Sequence, residues 1–540
     1  MSKVFNRVGR VRPRRNAFNL SYRKNMTCNM GQLIPVMCEE VVAGDFFKIG
    51  NQLTVRFQPL AAPIMHEISA TIHYFFVPTR LIWDQWEKFI TNGEEVVPQV
   101  LPRMGRPSQP QLKGSLWDYF GMPISPPLTP DPPPLSGATP LAFPWYVYNL
   151  VFNEYYRDEE IDEEVPLDNP DVLYRRWSKD YFTSARIRRQ RGQTPALPVN
   201  VDFSYSRAAG GAQKRVAPTR LYDGSVITGY PFGLINNQTG GATSGNMRVS
   251  SGEVLVGGDL RVDIDDVMEV GLQYTSASST TFNVSDLRLA FQVQKWLERN
   301  SRAGIRYTSF LQAHFGVSPS DARLDRPEYI GGTKTPVVIS EVLQTSQTTE
   351  GQEGSPLAEF AGHGLAADSH YAGSYNVQEY GYIIGIMSIM PKPSYQDGIN
   401  RQWLRRVPTD FYFPEFAHLS EQGIYNAELF HSRNNIDYGV WGFVGQYDEM
   451  RVKHDMVCGD MRRNSEDDIQ LSYWNLTRKF YSLPMLNSSF ISTYNNIRED
   501  IFAVQSDGAP IDHLIVNCQN IIRAIRPLPL IAEPGLVDHF

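Results

Sequence analysis

A mainly β fold is the class this chain predicts, and three observations predict it. Its 540 residues include 28 Phe, 27 Tyr and 9 Trp, an aromatic load that favours strands and extensive interfaces. In NQLTVRFQP, Leu53, Val55 and Phe57 fall on one side while Thr54, Arg56 and Gln58 fall on the other, the period of a strand with one buried face. The 37 Pro and 41 Gly require long loops between such strands. At 42% hydrophobic the chain can bury a large core, which excludes disorder of the whole.

The chain opens with MSKVFNRVGRVRPRRNAFNLSYRK, whose cations are Lys3, Arg7, Arg10, Arg12, Arg14, Arg15, Arg23 and Lys24; the first carboxylate is Glu39. Those eight leave 43 Lys+Arg against 58 Asp+Glu, so residues 39–540 hold a net charge near −15 in a chain whose total is −7. An arm and a body of opposite sign predict two kinds of partner. Phe5, Phe18 and Tyr22, interleaved with the cations, suit stacking on single-stranded nucleic acid. If all eight cations engaged phosphates, log K would fall with log salt at a slope of about −5.6. The other readings of the arm are a solubilising tail or a contact with another protein chain.

ATIHYFFVP continues the strand pattern and stops at Pro78, which cannot extend a ladder. TRLIWDQWEKFITNG predicts a short helix with Ile82, Trp86, Phe89 and Ile90 on one face and Asn92-Gly93 at its end. Residues 98–144 hold 13 of the prolines and so predict a course over a surface. The acidic run DEEIDEEV (158–165) precedes YRRWSKDYFTSARIRRQRG, where Arg175, Arg176, Arg186, Arg188, Arg189 and Arg191 stand among Tyr174, Trp177, Tyr181 and Phe182. Two readings stay open here, a surface helix paired with the acidic run, which is preferred, or a DNA contact.

Residues 199–282 contain twelve Gly and sixteen Ser/Thr with no Trp or Cys, the texture of an inserted excursion with short β pieces such as SGEVLVGG. NVSDLRLAFQVQKWLERNSRAG predicts a helix capped by Ser285, with Leu289, Val293, Trp296 and Leu297 as its stripe. Strands return in TPVVISEVLQT, YGYIIGIMSIMP and YGVWGFVGQYDEMRV, and the tail IRPLPLIAEPGLVDHF is extended by its prolines.

Motifs that carry chemistry are missing. There is neither a GxxxxGK[ST] phosphate loop nor a GxSxG elbow, and His66-Glu67 has Ala70 where a zinc helix needs its second histidine. His363, Asp368 and His370 read as polar loop residues, and the 158–164 carboxylates do not define a glycosidase pair. No catalytic, metal or cofactor residue is assigned. Cys28, Cys38, Cys458 and Cys518 form no CxxC pair, which fits a reducing compartment. The basic N-terminus has no apolar core of a signal peptide and no run of about 18 apolar residues occurs, so synthesis in the cytoplasm without a membrane span is the expectation.

Several blocks are long and unusual: LIPVMCEEVVAGDFF, HYFFVPTRLIWDQWEKF, YNLVFNEYYRD, RRWSKDYFTSA, HFGVSPSDARLDRPEYIGG, GYIIGIMSIMPKPSYQDGINRQW, TDFYFPEFAHLSEQ and PGLVDHF. Collinear from about residue 30 to Phe540, they resemble the major capsid proteins of microviruses, phages with a small circular single-stranded-DNA genome, and within them the gokushovirus branch. The resemblance implies a non-enzymatic virion protein, assembled in the host bacterial cytoplasm into a T=1 icosahedral shell. It also implies an eight-stranded antiparallel jelly roll with long insertions. On that template residues 1–30 are an interior-facing arm, 31–198 the first part of the barrel, 199–282 a surface protrusion for a host receptor, and 283–540 the remainder with its tail. The implied partners are further copies of the chain, the genome, an internal scaffolding protein and a small basic DNA-packaging protein. Leu536, Val537 and Phe540 would anchor the tail in a neighbour's groove. RIRRQRG (186–192) departs from the family's weakly charged segment and could add a contact to DNA or to an acidic neighbour. The alternative reading is a phage-borne β-rich carbohydrate-binding or carbohydrate-active protein.

Overall fold

The computed structural model describes residues 14–91, 101–104, 113–124, 139–193, 195, 284–303, 306–318, 320–343, 360–463, 470–504 and 511–531, with short strands between 234 and 263. The strands of the main body, in chain order, are β1 (Asn16–Asn19), β2 (Tyr22–Cys28), β3 (Ile34–Val41), β4 (Phe46–Phe57) and β5 (Ile68–Pro78). They continue with β6 (Glu328–Pro336), β7 (Val338–Leu343), β8 (Phe360–Asn376), β9 (Gly381–Pro391) and β10 (Leu514–Arg526). One sheet is six-stranded, in the order β1-β10-β4-β8-β7, with β2 also paired to β10; the other is four-stranded, in the order β6-β5-β9-β3. All these pairings are antiparallel, and the described strands do not close into a barrel.

Alternation decides which faces meet. On β4, Phe47, Ile49, Leu53, Val55 and Phe57 are buried, while Lys48, Gln52 and Arg56 are exposed. Val36 and Val41 of β3, Ile72 and Phe76 of β5, and Ile383 and Met387 of β9 join the β4 set and Val516 and Ile522 of β10 in one apolar cluster. The two sheets therefore face each other across a shared core, where each large aliphatic or aromatic side chain contributes roughly 1.5–3 kcal/mol. TPVVISEVLQT serves both sheets: β6 ends at Pro336 in the smaller, and β7 starts at Val338 in the larger. Beside it the register slips at Tyr329/Gly331 on β6 and at Tyr371/Gly373 on β8. A Cβ on Gly331 would collide with the carbonyl oxygen of Ala372, so only glycine permits this approach of the two backbones.

The second face of the smaller sheet is apolar at one end. Phe75, Val77, Ile384 and Ile386 are covered by the helix Phe143–Val151, whose Trp145, Val147, Tyr148 and Val151 are buried. Pro144 lies in its first turn, where a missing N–H costs nothing. A third cluster gathers Tyr181, Phe182, Tyr395, Ile424, Val444 and Phe490 around the hairpin Glu421–Tyr425/Val440–Gly445.

Local expectations are corrected in three places. TRLIWDQWEKFITNG forms two short helices, Thr79–Ile82 and Trp86–Ile90, because Trp83 is extended between them; Asn92-Gly93 lies outside the described residues. The Val284–Ala303 helix begins before Ser285, and of its stripe only Leu297 is buried, Leu289 and Trp296 being 64% and 50% exposed. Periodicity tells which residues share a face, not what covers it. YRRWSKDYFTSARIRRQRG forms no helix; isolated bridges and turns stitch it to Gln32, Ser492 and Phe443.

The chain divides into two compact units, Met1–Gln193 with Trp296–Phe540, and Thr194–Lys295. Within the second, Met247–Ser250, Glu253–Val256 and Leu260–Asp263 form a three-stranded antiparallel sheet, and Leu234–Ile235 pairs with Ala242–Thr243.

Candidate nucleic-acid interface

The outward face of the six-stranded sheet is built by the same alternation that fills the core. Cross-strand register sets Lys48 of β4 directly opposite Arg523 of β10, and Arg56 opposite Ile515. Gln519 stands between Arg23 of β2 and Gln52 of β4, and Asn517 between Asn25 and Thr54. Lys48, Arg56, Arg23 and Arg523 are all exposed. The outward positions of β2, β4 and β10 carry no carboxylate. Like charges placed opposite each other on a sheet are destabilising, so the Lys48/Arg523 pair costs stability until an anion lies over it. Tyr371 of β8, 66% exposed, stands beside Gly50, where no side chain competes for the space above the sheet. Near Arg56 the face deepens into a cavity of about 830 Å³ lined by Arg56, Lys113, Thr54 and Asn517, with Asp118 as its carboxylate.

The cations singled out in the sequence are used in different ways. Lys3, Arg7, Arg10 and Arg12 lie outside the described residues, while Arg14, Arg15 and Arg23 are exposed. Lys24, which also lines that cavity, is held differently: its Nζ donates to the carbonyl oxygens of Pro35, at 2.6 Å, and Tyr119. Burial pulls its pKa down to about 8, so this ammonium is committed within the chain.

In the second basic segment Arg175 Nη1 donates to the hydroxyls of Thr71 and Ser388. Arg176 pairs with Asp162 at 2.7 Å and Lys179 with Asp158 at 2.7 Å, both acids of the 158–164 run. Arg186 and Arg302 share the buried carboxylate of Glu421, at 2.8 and 2.9 Å. Arg188 and Arg189 are exposed, and Arg191 is half-buried. Leu536, Val537 and Phe540 lie outside the described residues.

His363, Asp368 and His370, expected in a loop, lie instead on strand β8; Asp368 and His370 meet at 2.7 Å, whereas His363 lies opposite Ser340 of β7. His66 contacts the Lys392 carbonyl oxygen at 2.6 Å, and burial lowers its pKa. Among the described residues no group of three or more His, Cys, Asp or Glu converges as metal ligands.

Lys48, Arg56 and Arg523 escaped the sequence reading. Arg56 could be placed on the polar side of its strand, but Arg523 lies more than 450 residues away and only register brings it there.

A family described as capsid protein (F protein) matches residues 7–536. The chain is 31% identical to the capsid protein VP1 of Chlamydia phage 1, over 99% of this chain and 98% of that protein. It is 28% identical to capsid protein VP1 of Bdellovibrio phage phiMH2K, over 93% and 92%. With capsid protein VP1 of Spiroplasma virus 4 the identity is 27%, over 97% and 95%.

Proposed function

The chain belongs to the phage capsid protein (F protein) family, and from that premise, a structural virion protein rather than a catalyst, we propose how it builds and fills its shell. The subunit is an eight-stranded jelly roll with β1 and β7 added at sheet edges. Taking β2, β3, β4, β5, β6, β8, β9 and β10 as first to eighth, the sheets run first-eighth-third-sixth and second-seventh-fourth-fifth. First pairs with eighth, second with seventh, third with sixth and fourth with fifth, the order left by rolling up one long hairpin, which supports that reading.

Copies of this wedge assemble into a T=1 icosahedral shell with the six-stranded sheet turned inward, against the circular single-stranded DNA. The carrying observation is the carboxylate-free face of β2, β4 and β10, with Lys48 directly opposite Arg523. Arg14 and Arg15, exposed just before β1, add to its positive charge, and the basic arm 1–30 faces the same interior. An internal scaffolding protein and a small basic packaging protein share the interior during assembly. Residues 199–282 form the outer protrusion that meets the host receptor, and Leu536, Val537 and Phe540 hold a neighbouring subunit. Arg188 and Arg189 are free to contact a neighbour, whereas Arg186 is held by Glu421. The test is co-expression of the full chain with its scaffold and genome. The variant Lys48→Gln/Arg56→Gln/Arg523→Gln should yield closed shells with less nuclease-protected DNA. Shells that protect a wild-type amount of DNA would overturn the placement of this face.

A further inference from the structure

The smaller sheet carries a polar site that neither its core nor the DNA-facing surface explains. β5 changes character along its outward face. Phe75 and Val77 enter the apolar cluster under the Phe143–Val151 helix, whereas Ser69, Thr71 and His73 line a cavity of about 560 Å³. Register places Lys334 of β6, Thr71 of β5 and Ser388 of β9 in one row across the sheet. Arg175 lies over this row, its Nη1 fixed by the Thr71 and Ser388 hydroxyls.

Charge around the cavity is unbalanced. Among the described residues neither Arg175 nor Lys334 makes an ion pair, and Nε and Nη2 of Arg175 have no protein acceptor. Among the described residues the one lining carboxylate, Glu67, lies 3.9 Å from Lys392, itself in the lining, which also pairs with Asp455 at 2.8 Å. His73 shares a hydrogen bond with the Tyr156 hydroxyl; burial, reinforced by Arg175, pushes its pKa down to about 4, so it is neutral at neutral pH. Withdrawing a guanidinium from water without a counter-charge is costly. A planar fork whose orientation is set by two hydroxyls is the arrangement that recognises a carboxylate or phosphate. The volume is that of a small-ligand site.

We propose that this cavity binds a single oxyanion group, phosphate or carboxylate, gripped by Arg175 and Lys334. The oxyanion comes either free from solution or as a carboxylate presented by a neighbouring copy of this chain, whose body is acidic. Full-length dissociated subunits are titrated with inorganic phosphate and with citrate, against chloride matched in ionic strength, and followed by thermal unfolding and calorimetry. A saturable rise in Tm beyond that with chloride is expected. Arg175→Lys, which loses the fork, should weaken binding about tenfold, and Lys334→Gln by roughly threefold or more. Lys334 is exposed, so its variant remains informative if the Arg175 variant folds poorly. Lys88→Gln, which removes an exposed cation on the helix Trp86–Ile90 outside the cavity lining, should leave binding unchanged. Repeating the titration on assembled particles assigns the source: retained binding points to a free anion, and binding lost on assembly to a neighbour's carboxylate already in place. Phosphate and citrate acting no more strongly than chloride, or wild-type affinity in both cavity variants, would overturn the proposal and leave the capsid assignment intact.

Discussion

Neutralising Lys48, Arg56 and Arg523 together, as Lys48→Gln/Arg56→Gln/Arg523→Gln, perturbs the surface proposed to face DNA without touching the core, since all three side chains are exposed. Each cation that engages a phosphate of single-stranded DNA contributes about −0.7 to the slope of log K against log salt. The triple variant should therefore bind a labelled single-stranded oligonucleotide with a slope less negative by about 2.1. Lys24→Gln is the companion variant. The arm read from sequence assigns Lys24 the same share as its neighbours, a change of about 0.7, whereas an ammonium held by the Pro35 and Tyr119 carbonyls contributes none. Fluorescence anisotropy of full-length dissociated subunits across a salt series measures both. A triple variant with the wild-type slope, together with a Lys24→Gln variant that loses 0.7 or more, would refute the assignment of the sheet face.

The buried Lys24 also gives a pH signature. Its value falls from 10.5 to about 8 in the folded chain, so between those pH values the unfolded state holds the extra proton and stability rises with pH. Relative to Lys24→Met, the wild type should gain about 2–3 kcal/mol between pH 8 and 10.5 in denaturant melts, and parallel curves would contradict this. Arg478, 5% exposed, lies 4.3 Å from the Phe490 ring centroid and 5.1 Å from that of Trp177, and donates to the Phe490 carbonyl oxygen. Arg478→Ala should cost about 2–4 kcal/mol in urea unfolding, and an unchanged midpoint would show the aromatic box to be self-sufficient. Gly331→Ala should destabilise by about 3 kcal/mol or more, because the colliding atom is the backbone oxygen of Ala372. Soluble Gly331→Ala protein with the wild-type Tm would mean the two sheets part more easily than their register implies.

Strands with strong local pattern were legible in the chain. β5 and β9 are apolar runs closed by Pro78 and Pro391, and β4 alternates along most of its length. β1 and β2 were not legible, because YRKNMTC has little apolar content and owes its strand form to β10, almost 500 residues later. Within the arm, residues 16–19 and 22–28 are strands at a sheet edge, a form its basic composition does not announce. Lys24 and Arg175 looked like their neighbours, since nothing local announces a carbonyl from Tyr119 or a hydroxyl from Ser388. The pairing of Arg176 and Lys179 with the acidic run was foreseeable from proximity, but the helix expected to present it did not form. The jelly-roll reading came from family blocks rather than from periodicity, because strand order is set by contacts between distant segments.

A reconstruction of assembled particles by electron cryomicroscopy tests the central claim most directly. The expected result is a closed T=1 shell in which β2, β4 and β10 turn Arg23, Lys48, Arg56 and Arg523 toward the interior, with nucleic-acid density against them. A shell that carries this face on its outer surface, or buries it between subunits away from DNA, would contradict the account.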